Sequence, residues 1–115
     1  MNVSIKRVYE TPMAADGRRI LVDRLWPRGM TKQAARIDLW LKDVAPSAEL
    51  RRWYGHDPEK WLEFRKRYLS ELEGNPALAE LEALSRKGKT TLVYAARDED
   101  RNHAVVLRDI LGSKD

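Results

Sequence analysis

A chain of 115 residues sets one domain as the expectation and hides roughly 65% of the unfolded surface, a core that needs no disulfide or metal staple. Hydrophobic residues at 43% and charged residues at 35% exclude a disordered chain, and the absence of cysteine excludes disulfides, thiolate nucleophiles, zinc–thiolate sites and iron–sulfur clusters. The net charge of +4 is uneven: the first 36 residues hold 8 Lys/Arg against 3 Asp/Glu, while residues 59–115 hold 11 against 11. That bias favours an acidic partner, whether phosphate, carboxylate or nucleic acid, without choosing among them. No window approaches 18 apolar residues, and MNVSIKRVYE lacks the apolar core of a signal peptide. A cytoplasmic protein without a membrane partner is the expectation.

Residues 3–9 read as a first strand, with Val3, Ile5 and Tyr9 on one side under period-two alternation. Residues 10–19 form a loop that turns at Asp16-Gly17. Residues 20–25 are an apolar run that turns polar at its end, the pattern of an interior strand. Pro27 and Gly29 break it, and Thr31 can cap a short turn over 32–36. Alternating Ile37, Leu39 and Leu41 favour a strand over 37–44. Three helices follow: one capped by Ser47 and ending near Gly55, one opened by Asp57-Pro58 and running to Gly74, one opened by Asn75-Pro76 and ending at Gly88. Their inner faces would be Trp61, Phe64, Tyr68 and Leu72, then Leu78, Leu81 and Leu84. Residues 90–96 form the best strand. Asn102 caps a last helix whose buried stripe would be Ala104, Val105, Leu107 and Leu111. Strands joined through helices imply a small α/β domain over 1–115, with a partly parallel sheet of three or four strands.

The most unusual segment is Asp23-Arg24-Leu25-Trp26-Pro27-Arg28-Gly29. It stands at the carboxyl end of an expected central strand, where open α/β sheets bind ligands. Arg24 and Arg28 suit a carboxylate or phosphate, Trp26 would form a wall, and Gly29 permits close backbone approach. The blander reading pairs Asp23 with an arginine and puts Trp26 in the core. The turn after residue 96 adds Arg97, Arg101, Asn102 and His103, though Asp98, Glu99 and Asp100 could answer the helix dipole there. Asp23 with His103 is the candidate acid–base pair, and Arg51 can reach the same sheet end from its helix. His56 and His103 are the only histidines and make no i,i+4 pair, so no metal site is expected. No Gly-rich phosphate loop is present, and no cofactor is implied. Trp40, Trp53, Trp61, Tyr54 and Tyr68 fall at apolar positions, so their default is core.

These residues, together with Trp40 and Lys42, Pro46-Ser47, Leu50-Arg51, Leu92-Val93-Tyr94-Ala95-Ala96 and Asn102-His103-Ala104, resemble the YeaO-like proteins. Those proteins are a branch of the bacterial family called domain of unknown function 488. The resemblance covers nearly the whole chain in order and spacing. It implies a compact Rossmann-like α/β domain in a bacterial cytoplasm and no established activity. Other branches look to carry Cys-His-Arg where this chain has Asn102-His103-Ala104. A cysteine at a helix N-terminus would be a candidate thiolate. Asn102 withdraws that chemistry here and leaves His103 as the shared element.

The leading expectation is an anion-preferring cleft built from Arg24, Trp26, Arg28, Gly29, Arg51 and Asn102, with Asp23 and His103 as its acid–base pair. Enzyme and binding module both stay open. The alternatives are a nucleic-acid-binding domain that uses the basic first third, for which no motif speaks, and a protein-interaction module. The oligomeric state is not legible.

Overall fold

The structure is a computed structural model and describes residues 2–112. Met1 and residues 113–115, which belong to the expected domain 1–115, lie outside the described residues. Strands β1 (Val3–Arg7), β2 (Arg18–Leu21), β3 (Leu39–Trp40) and β4 (Thr90–Tyr94) form a sheet of order β1-β4-β2-β3. Every pairing in it is parallel. Helix α1 (Lys32–Ala35) joins β2 to β3, helices α2 (Ala48–Tyr54), α3 (Trp61–Leu72) and α4 (Pro76–Arg86) join β3 to β4, and α5 (His103–Gly112) follows β4. The Rossmann-like α/β architecture expected from the sequence is present. No described helix is long and apolar enough to cross a membrane.

Five caps read from the sequence form. Thr31, Ser47, Asp57, Asn75 and Asn102 each accept a backbone N–H of the following turn through the side-chain oxygen. Each satisfies a donor that the helix itself cannot. After Asp57 the first turn, Pro58–Lys60, is a 3-10 turn, and α3 starts only at Trp61.

The strand boundaries differ more. Tyr9 does not share a face with Val3 and Ile5, because the ladder ends when Val8 N–H donates to the Tyr94 carbonyl and Glu10 N–H closes a turn on Arg7. Its ring is 46% exposed, lies under the Arg7 guanidinium, and its hydroxyl donates to the Arg28 carbonyl. The second strand starts and ends earlier than residues 20–25. Gly17 presses against the Lys89 backbone, so pairing begins at Arg18, and after Val22 the chain leaves the sheet. The third strand shrinks to Leu39–Trp40 because a 3-10 turn, Lys42–Val44, follows at once. On α4 the buried line is Ala77, Leu81 and Ser85, with Leu78 and Leu84 half-buried beside it. On α5 Val106 is also buried, since that helix packs on β1, β4 and α3 together.

The two faces of the sheet have different chemistry. Ile20, Val22, Leu92 and Tyr94 meet the inner sides of α2 to α5, among them Leu50, Phe64, Leu81 and Leu107. Each such side chain withdrawn from water contributes about 1.5–3 kcal/mol. The opposite face carries a small apolar cluster, Val8, Leu21, Ala35 and Val93, with Trp26, Met30 and Ile37 packed on it. Beside it lies a polar node. Asp16 takes Lys6 Nζ at 3.1 Å, Arg19 Nη1 at 2.7 Å and the Met13 N–H at 3.0 Å, and Thr91 donates to its carbonyl. Arg19 is 3% exposed, and its Nη2 donates to the Ala35 carbonyl at 2.8 Å. Two cations of the basic first third are thereby internal.

Burial pushes the Asp16 carboxyl up, but the Met13 N–H, Lys6 and Arg19 together hold it below the usual carboxylate value. A carboxyl lowered in the folded state lends stability that is full above its unfolded pKa of about 3.9 and is lost as pH falls through the lower folded value. Asp16→Asn should therefore cost about 3 kcal/mol in urea denaturation at neutral pH, and the gap to wild type should narrow well below about pH 3.9. Gly17 has φ +66°, and a Cβ there would stand 2.3 Å from the Lys89 carbonyl oxygen, the acceptor of Arg18 N–H. Gly17→Ala should cost at least about 2 kcal/mol by the same measurement, through both the φ and the clash.

Candidate functional site

Beyond the carboxyl ends of β2 and β4 a cavity of about 620 Å³ opens. Its lining includes Asp23 and Arg24 after β2, Ala45, Pro46 and Arg51 around α2, and Ala95 to Asp98 after β4. Asn102 and His103 enter at the start of α5. Five of the residues expected at a site, Asp23, Arg24, Arg51, Asn102 and His103, thus line one cleft. Trp26, Arg28 and Gly29 are not in its lining. Trp26 turns to the opposite face, where Nε1 donates to the Met30 carbonyl at 2.7 Å and the ring meets Trp40 edge-on. Arg28 is exposed, and its carbonyl accepts the Tyr9 hydroxyl. The physical cause is the early exit of the chain at Val22, which sends residues 26–30 over the other face of the sheet.

Asp23 and His103 do meet. Asp23 Oδ1 lies 3.0 Å from His103 Nε2, and Asp23 Oδ2 accepts the Ala95 N–H at 3.0 Å. His103 Nε2 is also 3.0 Å from the Val22 carbonyl oxygen. A nitrogen between two acceptors carries a proton, so His103 Nε2 acts as a donor here. That proton serves the Val22 carbonyl, and Asp23 Oδ1 is left without an aligned hydrogen bond. Asp23 can stabilise an imidazolium electrostatically; its other oxygen is committed to the backbone.

Arg24 is pinned by its Nη2 on the Ala45 carbonyl and its Nε on the Pro46 carbonyl. Among the described residues, neither Arg24, Arg51 nor Arg97 forms an ion pair with a carboxylate. Asp98 accepts the Asp100 N–H, which holds its carboxyl below the usual value with help from the Arg101 N–H and guanidinium, and burial opposes them only in part. Tyr54, Phe64 and His56 were not expected at a site. Tyr54 is buried as core, yet its ring also walls the cavity, and its hydroxyl donates to the Arg101 carbonyl at 2.8 Å. Burial first, then the Asp98 charge, pushes that hydroxyl's pKa up, so it stays a donor. Gly55 and His56 both take positive φ where α2 ends, and His56 lines the cleft. Of the remaining aromatics, Tyr68 is fully buried, Trp53 and Trp61 are half-buried on the core, and Trp40 stays at the sheet edge under Lys42. Among the described residues no group of three His, Asp or Glu side chains is placed to hold a metal.

The family model DUF488-N3i, the inactive DUF488-N3 subclade, matches residues 2–114. The chain belongs to this family. The uncharacterized protein Rv3073c of Mycobacterium tuberculosis H37Rv is 48% identical over 112 residues, which cover 97% of this chain and 95% of that protein. The uncharacterized protein YeaO of Escherichia coli K12 is 42% identical over 114 residues, which cover 98% and 99%. No solved structure matches the chain significantly.

Within this DUF488-N3i chain, position 102 has a structural duty. Asn102 is 2% exposed; Oδ1 caps the Val105 N–H at 3.1 Å and Nδ2 donates to the Asp98 carbonyl at 2.8 Å. It ties the charged loop to the start of α5 and so fixes His103. Asn102→Ala should cost about 1–2 kcal/mol in equilibrium denaturation, and Asn102→Ser should recover the cap's share of it.

Proposed function

We propose that this protein is a ligand-binding module whose cleft takes a small anion, a phosphate or carboxylate, through Arg24 and Arg51 with help from Arg97. The observation that carries this reading is the set of three arginines lining one cavity with no carboxylate partner among the described residues. A guanidinium without a counterion at the edge of an apolar cavity gains most from an anion that it can fork. Binding without turnover is favoured over acid–base catalysis because Asp23 and His103 hold backbone groups. The family's description as inactive agrees.

The nucleic-acid alternative has less support. Lys6 and Arg19 are drawn in around Asp16, and Arg7 donates to the Ala95 and Ala96 carbonyls, so much of the basic first third is turned away from a partner's phosphates.

The test is a thermal-shift screen of phosphates, carboxylates and oligonucleotides at fixed salt, with Arg51→Ala beside wild type. Arg51 is exposed, so its loss should change stability by less than about 0.5 kcal/mol. A small anion at about 100 times its Kd should add about 2.7 kcal/mol and raise Tm by several degrees, and the rise should shrink in Arg51→Ala. A response to no anion, or one indifferent to Arg51 and Arg24 alike, refutes the reading. A response to oligonucleotides alone, fading steeply with salt, transfers the function to nucleic acid.

A further inference from the structure

Three features of the cleft bear on which anion it takes. The first is size: about 620 Å³ is the volume of a site for a molecule of many heavy atoms, far beyond a phosphate ion. The second is the wall. Leu25, Ala45, Pro46, Tyr54, Phe64 and Ala96 face the space, and the Tyr54 and Phe64 rings stack at 4.2 Å between centroids. Leu25 is 60% exposed at the rim of the cavity. The third is charge. Three guanidiniums, Arg24, Arg51 and Arg97, are opposed in the lining by two carboxylates, Asp23 and Asp98, a surplus of one positive charge among these five groups. One negative charge balances it; a triphosphate overloads a site that already holds two carboxylates.

We infer that the ligand is an aryl carboxylate: a flat apolar body with one carboxylate. This rests on the anion-binding reading above and narrows it. The flat body takes Leu25 and Ala96 out of water, the Tyr54 and Phe64 rings beside it being already buried. The carboxylate meets the Arg51 fork, which has no other partner among the described residues. Arg24, with Nε and Nη2 held by the Pro46 and Ala45 carbonyls, presents Nη1 in a fixed place.

Calorimetric titration of the full chain with four probes decides it: 2-naphthoate, its amide 2-naphthamide, acetate and ATP. The expected result is 2-naphthoate bound at least tenfold more tightly than each of the other three. Leu25→Ser should weaken 2-naphthoate several-fold and leave acetate unchanged, and Arg51→Gln should weaken both. Leu25 and Arg51 are exposed, so both variants should keep the fold, which a far-ultraviolet circular dichroism melt verifies. If ATP or acetate binds as well as 2-naphthoate and depends on Arg51, the aryl carboxylate is wrong and the anion cleft stands. If the amide equals the acid, or none of the four binds, both readings fall.

Discussion

Strand β4 must be hydrogen-bonded along both edges and buried on both faces, and the other elements are arranged to provide this. It lies between β1 and β2, which precede it by most of the chain length, so neither neighbour can pair with it until α2, α3 and α4 have carried the chain back. All five of its residues are buried. A parallel strand in that place needs a crossover on each side, and the long helical excursion between β3 and β4 supplies the apolar layer that covers the same face. The cleft is a consequence. Where β2 and β4 end, the ladder stops, and the Asp23 carboxylate takes the Ala95 N–H that the departing backbone of β2 no longer satisfies.

The two faces of the sheet divide the work. One is an apolar interface with four helices and carries most of the hydrophobic stabilisation. The other is closed by a short helix, a loop and the ions gathered on Asp16. Such a buried node contributes little net energy against an apolar replacement, but removing one member strands the rest. The node joins β1, β2, β4 and α1, and so fixes where the Asp16-Gly17 turn sets β2 against Lys89. Register at that point determines where β2 ends, and with it the position of Asp23.

The site's chemistry is shaped by what the scaffold already uses. Asp23 closes the ladder, His103 donates to Val22, Asn102 caps α5, and Arg24 is held by two carbonyls. Each of these residues looks reactive by type and is structural by bonding. What stays without an ion-pair partner among the described lining residues is the guanidinium charge of Arg24, Arg51 and Arg97, beside an apolar wall.

The sequence by itself determined the features whose cause is local. Caps at Thr31, Ser47, Asp57, Asn75 and Asn102 could be read because a cap is a contact within a few residues, and the helices followed from them and from 3.6-residue spacing. The segment Asp23-Arg24 and the pair Asn102-His103 were also legible, since a strand end in an α/β order implies a ligand edge. Only the tertiary structure decided that Asp23 and His103 touch, that Trp26 and Arg28 belong to the other face, and that Tyr54 and Phe64 wall the cleft. Each of these turns on where β2 ends, and the apolar run that reads as an interior strand over 20–25 does not register the exit at Val22. That exit is set by Gly17 against Lys89 and by Asp23 against Ala95, contacts 72 residues apart in the chain. A pattern read along the chain carries no information about partners at such a distance.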